Sequence, residues 1–131
     1  MRTLIVEDDT TNSFLLESFL STFGFCQVVD NGKEAVKAFR VALEGGQPYD
    51  LICMDVVMPT MDGHQSVRMI RALERNRKVA PESRAKIIMT TALSDRGNVI
   101  QSAREECDAF ILKPIDTGRL MEHLKNFGLV K

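Results

Sequence analysis

Five short apolar runs alternate along the chain with longer segments whose apolar residues recur at helical spacing, and this alternation constrains the fold most. The runs occupy residues 4–6, 28–29, 51–54, 87–89 and 110–112. Each is continuously apolar and lacks the in–out alternation of a half-exposed strand. Such runs are typical of strands buried on both faces of a parallel sheet.

The intervening segments predict five amphipathic helices. Their apolar stripes are, in chain order, Leu15, Leu16, Phe19, Leu20 and Phe23; Ala35, Val36, Phe39, Ala42 and Leu43; Val67, Ile70 and Leu73; Val99, Ile100, Ala103 and Cys107; and Leu120, Met121, Leu124 and Phe127. A β-α unit repeated five times indicates an α/β fold with a doubly wound, five-stranded parallel sheet. The flavodoxin-like strand order 2-1-3-4-5 is the common solution for five strands.

Length, charge and cysteine usage narrow the class of protein. The 131 residues suit one domain, over residues 1–131, and a formal net charge of −1 favours neither nucleic acid nor membrane as a partner. No apolar run reaches the length of a membrane span or of a secretory signal. Cys26, Cys53 and Cys107 form no CxxC pair, which predicts buried, reduced thiols in a cytoplasmic protein.

Polar residues follow the predicted strands at the edge where such folds bind ligands. Glu7, Asp8 and Asp9 follow the first strand and Asp55 follows the third. Strands 1 and 3 are neighbours in the predicted order, so Glu7, Asp8 and Asp55 should meet. Each pair of carboxylates at about 4 Å costs about 4 kcal/mol at an effective dielectric near 20. A cation that prefers oxygen ligands and keeps open positions, such as Mg²⁺, would relieve this repulsion.

Residues after the fourth and fifth strands complete a set suited to phosphoryl transfer. Thr90 and Thr91 follow the fourth strand and Lys113 follows the fifth. A carboxylate such as Asp55 can act as nucleophile and form an aspartyl-phosphate. A lysine neutralises charge on the phosphoryl oxygens, and a hydroxyl donates a hydrogen bond to one of them.

Four segments, 4–9, 54–63, 89–92 and 110–114, resemble the receiver domain of two-component response regulators. The resemblance covers almost the whole chain and is most specific over residues 55–63. It implies that Asp55 is the phosphoacceptor. It also implies a Mg²⁺ site in which Asp8 binds directly, Glu7 binds through water, and the backbone carbonyl of Val57 is a further ligand beside Asp55.

The same resemblance implies a switch. Thr91 matches the family's hydroxyl residue, Lys113 its phosphate-binding lysine, and Phe110 the aromatic residue that changes rotamer on activation. Phe110 lacks the hydroxyl of the tyrosine often found there. The Lys113–Pro114 peptide is expected to be cis, which proline makes accessible.

The resemblance also implies partners. A sensor histidine kinase or a histidine phosphotransfer protein would supply the phosphoryl group, and a face built from helix 4, strand 5 and helix 5 would change its affinity for a downstream protein. The chain would then be a stand-alone signalling receiver, and its only catalysis would be its own phosphorylation and dephosphorylation. Val57 and Leu93 are apolar and flank the path of attacking water, so we expect slow dephosphorylation.

Three alternatives stay open from the sequence. The first is an aspartate-nucleophile phosphatase or phosphotransferase, although Val57 stands where such enzymes carry a general acid. The second is a receiver excised from a larger regulator or hybrid kinase. The third is a flavodoxin-like cofactor binder, although acidic residues after strand 1 would repel a phosphate.

Individual residues also have plainer interpretations. Asp9 is expected to cap the first helix, and Asp8 could belong to its acidic first turn. Thr90 is expected to pack inside, and Phe110 could be only a core aromatic. His64 and His123 are expected to be exposed helix residues without a catalytic role. Seven bases against two acids between residues 68 and 86 indicate a solvated helix face and loop, with docking to an acidic partner as the alternative.

Overall fold

The five predicted strands all form and pair in parallel. The structure is a computed structural model and describes residues 1–58, 61–92 and 106–131. The strands are β1 (Arg2–Val6), β2 (Phe25–Val29), β3 (Leu51–Asp55), β4 (Lys86–Thr91) and β5 (Ala109–Leu112). Their order is β2-β1-β3-β4-β5, which confirms the flavodoxin-like prediction.

Four helices lie within the described residues: α1 (Thr10–Leu20), α2 (Gly32–Glu44), α3 (Gly63–Asn76) and α4 (Thr117–Asn126). Short 3₁₀ turns span Ser21–Phe23 and Pro81–Ser83. The α4 helix is the fifth predicted helix. Of the fourth predicted stripe, Val99, Ile100 and Ala103 lie outside the described residues, and Cys107 lies in irregular chain. No helix in the described part of the chain is long and apolar enough to cross a membrane.

A polar side chain caps the N-terminus of each of these helices. The side chains of Asp9, Asn31, Asp62 and Asp116 each accept a hydrogen bond from a backbone N–H in the first turn. Such caps satisfy donors that the helix itself cannot pair. The expected capping role of Asp9 is therefore confirmed.

The sheet is buried between two apolar clusters, one on each face. Successive strand residues point to opposite faces. Ile52 and Met54 of β3 therefore join the cluster under α2 and α3, while Leu51 and Cys53 join the cluster under α1 and α4. Helices thus cover both faces, as predicted for a doubly wound fold.

The prediction that every strand is buried on both faces is wrong for the edge strands. In β2, Phe25 is 51% exposed, and Val28 and Val29 are only partly buried. Leu112 of β5 is 37% exposed. Both strands form an edge of the sheet in the described residues, so each has a neighbouring strand on one side only.

The interpretation of residues 68–86 as a solvated face is wrong for Arg71 and Glu74. Arg71 is 8% exposed and Glu74 is 2% exposed. The Arg71 guanidinium donates to Glu74 at 2.7 Å, to Asp108 at 3.0 Å, and to the carbonyls of Ala85 and Glu106. Glu74 also accepts from the Ala85 N–H. This network joins α3 to the segments that enter β4 and β5.

The three cysteines are free, as expected, but only Cys53 is buried. Burial raises the pKa of the Cys53 thiol to about 12. Cys26 and Cys107 are partly exposed, which corrects the prediction that all three are buried. The Cys53 thiolate, the reactive form, is therefore scarce at neutral pH.

We predict that Arg71→Met lowers the free energy of unfolding by about 3 kcal/mol, because it leaves Glu74 buried without its cation. The control is Arg75→Met, since Arg75 is 54% exposed and lies 3.9 Å from its carboxylate partner. That control should cost about 0.5 kcal/mol or less. Urea denaturation followed by circular dichroism measures both, and equal losses would contradict the prediction.

Candidate functional site

The parallel register brings the ends of four strands together. Val6 of β1 lies opposite Met54 of β3, so Glu7 follows at the level of Asp55. Asp55 lies opposite Thr90 of β4. Thr91 in turn lies opposite Leu112 of β5, directly before Lys113. The strand-end residues singled out in the sequence therefore meet at one edge of the sheet.

Three carboxylates form the centre of this site. Oxygens of Glu7, Asp8 and Asp55 lie within 4.8 Å of one another. Glu7 is 2% exposed and Asp55 is 5% exposed, whereas Asp8 is open to solvent. The Asp9 N–H donates to Glu7 Oε2 at 3.1 Å. Two of the three acids are thus held away from water, where their repulsion is strongest.

Lys113 is the cation that faces this cluster. Its Nζ lies 3.0 Å from Glu7 Oε1 and 3.2 Å from Asp55 Oδ2. Burial alone would lower the pKa of Lys113. The adjacent carboxylates of Glu7 and Asp55 outweigh that effect and raise the pKa. Lys113 is therefore a partly buried, paired cation, and the Lys113–Pro114 peptide is cis as expected.

The environment of Glu7 favours its protonated form. Burial and the neighbouring Asp55 carboxyl raise the pKa of Glu7 to about 7, although the Asp9 N–H and Lys113 act in the opposite direction. One ammonium group therefore does not fully offset two buried carboxylates.

The donor set fits a divalent cation that prefers oxygen. Glu7 Oε1 is buried and accepts no hydrogen bond of suitable geometry within the described residues, although Lys113 lies near it. Asp8 offers an accessible carboxylate next to the buried pair. Val57 lies two residues after Asp55, and its N–H donates to Asp55 Oδ1 at 3.3 Å. Glu7, Asp8 and Asp55 would be protein ligands of such a cation.

The two threonines are both buried, so burial does not separate them. Thr90 is 2% exposed and Thr91 is 1% exposed. The Thr91 hydroxyl donates to the Ala92 carbonyl at 3.2 Å. Phe110 is partly buried and packs against the cluster under α2 and α3. It lies opposite Met89 in the sheet, two residues before Thr91.

Comparison with known proteins identifies the family of this chain. The family model of the response regulator receiver domain matches residues 3–125. The chain belongs to this family. Receiver domains are modules of phosphorylation-based signalling.

Relatives of this receiver domain include both short regulators and large kinases. It is 28% identical to the chemotaxis protein CheY of Listeria monocytogenes, over 95% of this chain and 96% of that protein. It is 36% identical to hybrid signal transduction histidine kinase L of Dictyostelium discoideum, over 97% of this chain but 7% of that protein. It spans only 4% to 15% of the length of six histidine kinases to which it is similar.

A solved structure also resembles this receiver domain. It is the receiver domain of a sensor histidine kinase from Pseudomonas aeruginosa, with a magnesium ion coordinated in its active-site cleft. The two share 29% identity and a TM-score of 0.75, with 96% of this chain and 95% of that chain covered.

Gly63 supports the site of this receiver domain in a way that the sequence did not reveal. As a residue type alone, glycine at this position indicates no more than a turn. In the structure its N–H donates to the Val56 carbonyl at 2.9 Å. A Cβ at Gly63 would lie 2.2 Å from the Asp55 carbonyl oxygen. Only glycine lets the start of α3 approach the Asp55 backbone this closely.

The two histidines of the receiver domain lie on helices but are only partly exposed, which corrects the prediction for both. His64 Nδ1 is buried without a hydrogen-bond partner in the described part of the chain. His123 stacks on Phe127 with ring centroids 6.1 Å apart. Neither belongs to the carboxylate cluster.

We predict that Asp8→Asn weakens Mg²⁺ binding by this receiver domain about tenfold or more, because it removes one charge from the cation's ligand set. The matched control is Asp9→Asn, since asparagine also caps helices well. Titration followed by the amide NMR signals of Glu7 and Asp8 measures the affinity. Equal affinities in the two variants would contradict the assignment of Asp8.

Proposed function

We propose that this chain accepts a phosphoryl group on Asp55 from a phosphohistidine and thereby switches its affinity for a downstream protein. The observation that carries the proposal is the Lys113 ammonium between the Glu7 and Asp55 carboxylates, with Asp8 beside them. A buried nucleophile, its cation and an oxygen-rich metal site are the parts that phosphoryl transfer requires.

Each residue has a distinct part in the proposed reaction. An Asp55 oxygen attacks phosphorus, the bond from phosphorus to the donor histidine nitrogen breaks, and an acyl phosphate forms. Lys113 leaves its contact with the Asp55 oxygen and pairs with a phosphoryl oxygen. Thr91 donates its hydroxyl to another. Mg²⁺, when bound by Glu7, Asp8, Asp55 and the Val57 carbonyl, neutralises charge on the phosphoryl oxygens.

The proposed partners follow from signalling by phosphorylation. A sensor histidine kinase or a histidine phosphotransfer protein would donate the phosphoryl group. Thr91 would move toward the phosphate, Phe110 would turn inward, and the face formed by β5 and α4 would present a changed surface to the downstream protein. The rest of that face, the fourth predicted helix, lies outside the described residues.

We further propose that residues 1–131 form one receiver domain that acts through protein contacts, without nucleic acid or membrane. The family match over residues 3–125 supports this extent. Three free cysteines suit the reducing cytoplasm.

We also propose that the chain is not a phosphatase and that its acyl phosphate hydrolyses slowly. Val57 occupies the position of a phosphatase's general acid, and its apolar side chain is 58% exposed. It has no group to protonate a leaving group or orient water. Leu93, the second apolar residue expected beside the water path, lies outside the described residues.

The test is intact mass after incubation with Mg²⁺ and a phosphohistidine donor or acetyl phosphate. Wild type should gain one phosphoryl group, and EDTA should prevent the gain. Asp55→Asn should gain none, because it lacks the nucleophile, whereas the matched Asp9→Asn variant should behave as wild type. A phosphoryl gain in Asp55→Asn, or none in wild type with either donor, would overturn the proposal.

A matched pair of variants separates the two threonines. Thr→Val removes only the hydroxyl hydrogen bond while keeping the shape. We predict that Thr91→Val still gains a phosphoryl group but loses most of the accompanying shift of the Phe110 amide NMR signal, because no hydroxyl contacts the phosphate. Thr90→Val should keep that shift. The reverse pattern would assign the switch to Thr90.

A further inference from the structure

A second polar site lies at the opposite end of the sheet from the carboxylates. A cavity of about 320 Å³ opens between α3, the turn at Pro81–Ser83 and the segments that enter β4 and β5. Four cations line it together with two carboxylates: Arg71, Arg75, Arg84, Lys86, Glu106 and Asp108. Lys86 begins β4 and Thr91 ends it, so the two sites are about 16 Å apart along the strand.

Arg71 forms the fixed wall of this cavity. Its guanidinium is held by Glu74, by Asp108 and by two backbone carbonyls. Two carboxylates already offset its charge. Arg71 therefore shapes the cavity but contributes little positive charge to the binding of a ligand. The Asp108 oxygen that it contacts also accepts from the Ile87 N–H at 2.8 Å.

Of the other three cations, Arg75 and Arg84 are weakly partnered. Arg75 lies 3.9 Å from Glu106, and its side chain is 54% exposed. Lys86 differs from these two, because its Nζ lies 5.7 Å from the centre of the Phe127 ring on the opposite face of the sheet and so faces away from the cavity. Arg84 forms no ion pair with any described residue, and its Nε is buried without a hydrogen-bond partner. A buried donor without a partner costs folding free energy, and two guanidinium groups here face one remaining carboxylate.

We propose that this cavity binds a phosphomonoester dianion. Guanidinium groups match the oxygens of a phosphate in a bidentate arrangement and remain charged at any physiological pH. Arg75 and Arg84 supply two such groups, and these face a single carboxylate. The cavity lies at the lower end of the range for small-molecule sites, about 300 Å³, which fits one phosphate and a short substituent. The phosphate could belong to a small molecule or to a phosphorylated side chain of a partner.

NMR titration in EDTA tests this site without the proposed Asp55 chemistry. Inorganic phosphate and glycerol phosphate probe a free ligand. A short phosphoserine peptide, compared with its unphosphorylated form, probes a partner's side chain. Saturable shifts of the Ala85, Lys86 and Cys107 amides are expected at constant ionic strength. Binding of the free phosphates identifies a small-molecule site, and binding of the phosphopeptide alone identifies a partner's side chain.

A matched pair of double variants separates this cavity from general surface charge. Arg75→Gln with Arg84→Gln should weaken binding about tenfold or more, because it removes two phosphate contacts. Arg40→Gln with Arg68→Gln removes the same charge from exposed positions outside the cavity and should leave the affinity near that of wild type. Unchanged amide spectra in the absence of ligand confirm that each variant folds.

Three results would overturn the proposal. One is the absence of saturable binding by every phosphate probe. Another is equal weakening in the two double variants, which would show nonspecific attraction to a basic surface. The third is shifts confined to Glu7, Asp8 and Asp55, which would place the bound anion at the carboxylate site.

Discussion

Parallel pairing of β1 with β3 sets Val6 opposite Met54, and the charged contacts of the site depend on that register. Glu7 and Asp55 are adjacent because each lies at the end of one of these two strands. A shift of one residue would turn the buried side chains of β1 to the opposite face and separate the carboxylates. The apolar clusters on both faces of the sheet hold the register, so the geometry of the site is a product of core packing.

Two groups of buried charged residues, around Arg71 and around Lys113, differ in how completely their charges are paired. Around Arg71, two carboxylates and two carbonyls surround one guanidinium, and most of its hydrogen-bonding capacity is used. Around Lys113, one ammonium faces two acids, and Glu7 Oε1 remains without a well-formed hydrogen bond within the described residues. The first arrangement fastens α3 to the sheet. The second leaves electrostatic strain that binding can relieve.

Much of the sheet and the location of the site were predictable, because each depends on a local pattern. Continuous apolar runs identified the strands. The rule that ligands bind at the carboxyl ends of parallel strands predicted that Glu7, Asp55 and Lys113 lie at one site. Edge exposure in β2 was not predictable, since an apolar run does not tell how many neighbours its strand has. The burial of Arg71 and Glu74 was hidden for a similar reason. The sequence of an amphipathic helix does not distinguish a buried charged pair from a solvated one. Here the pair is buried because Asp108, which is distant along the chain, packs against it.

Gly63 shows a further limit of sequence patterns. A glycine after a strand indicates a turn, but the approach of its backbone to the Asp55 carbonyl is a property of two segments. The chemical roles of Thr90 and Thr91 are not distinguished by burial either, because both side chains are buried at the end of β4.

Lys113 has a consequence for how the site exchanges its partners. Its ammonium is tethered to the end of β5, so it acts on Glu7 and Asp55 at a high effective concentration, of millimolar order or above. A dissolved cation must therefore compete with a counter-ion that cannot diffuse away. When that cation departs, the tether restores the original pairing without a second molecule. The resting state of the site is thereby encoded in the chain itself.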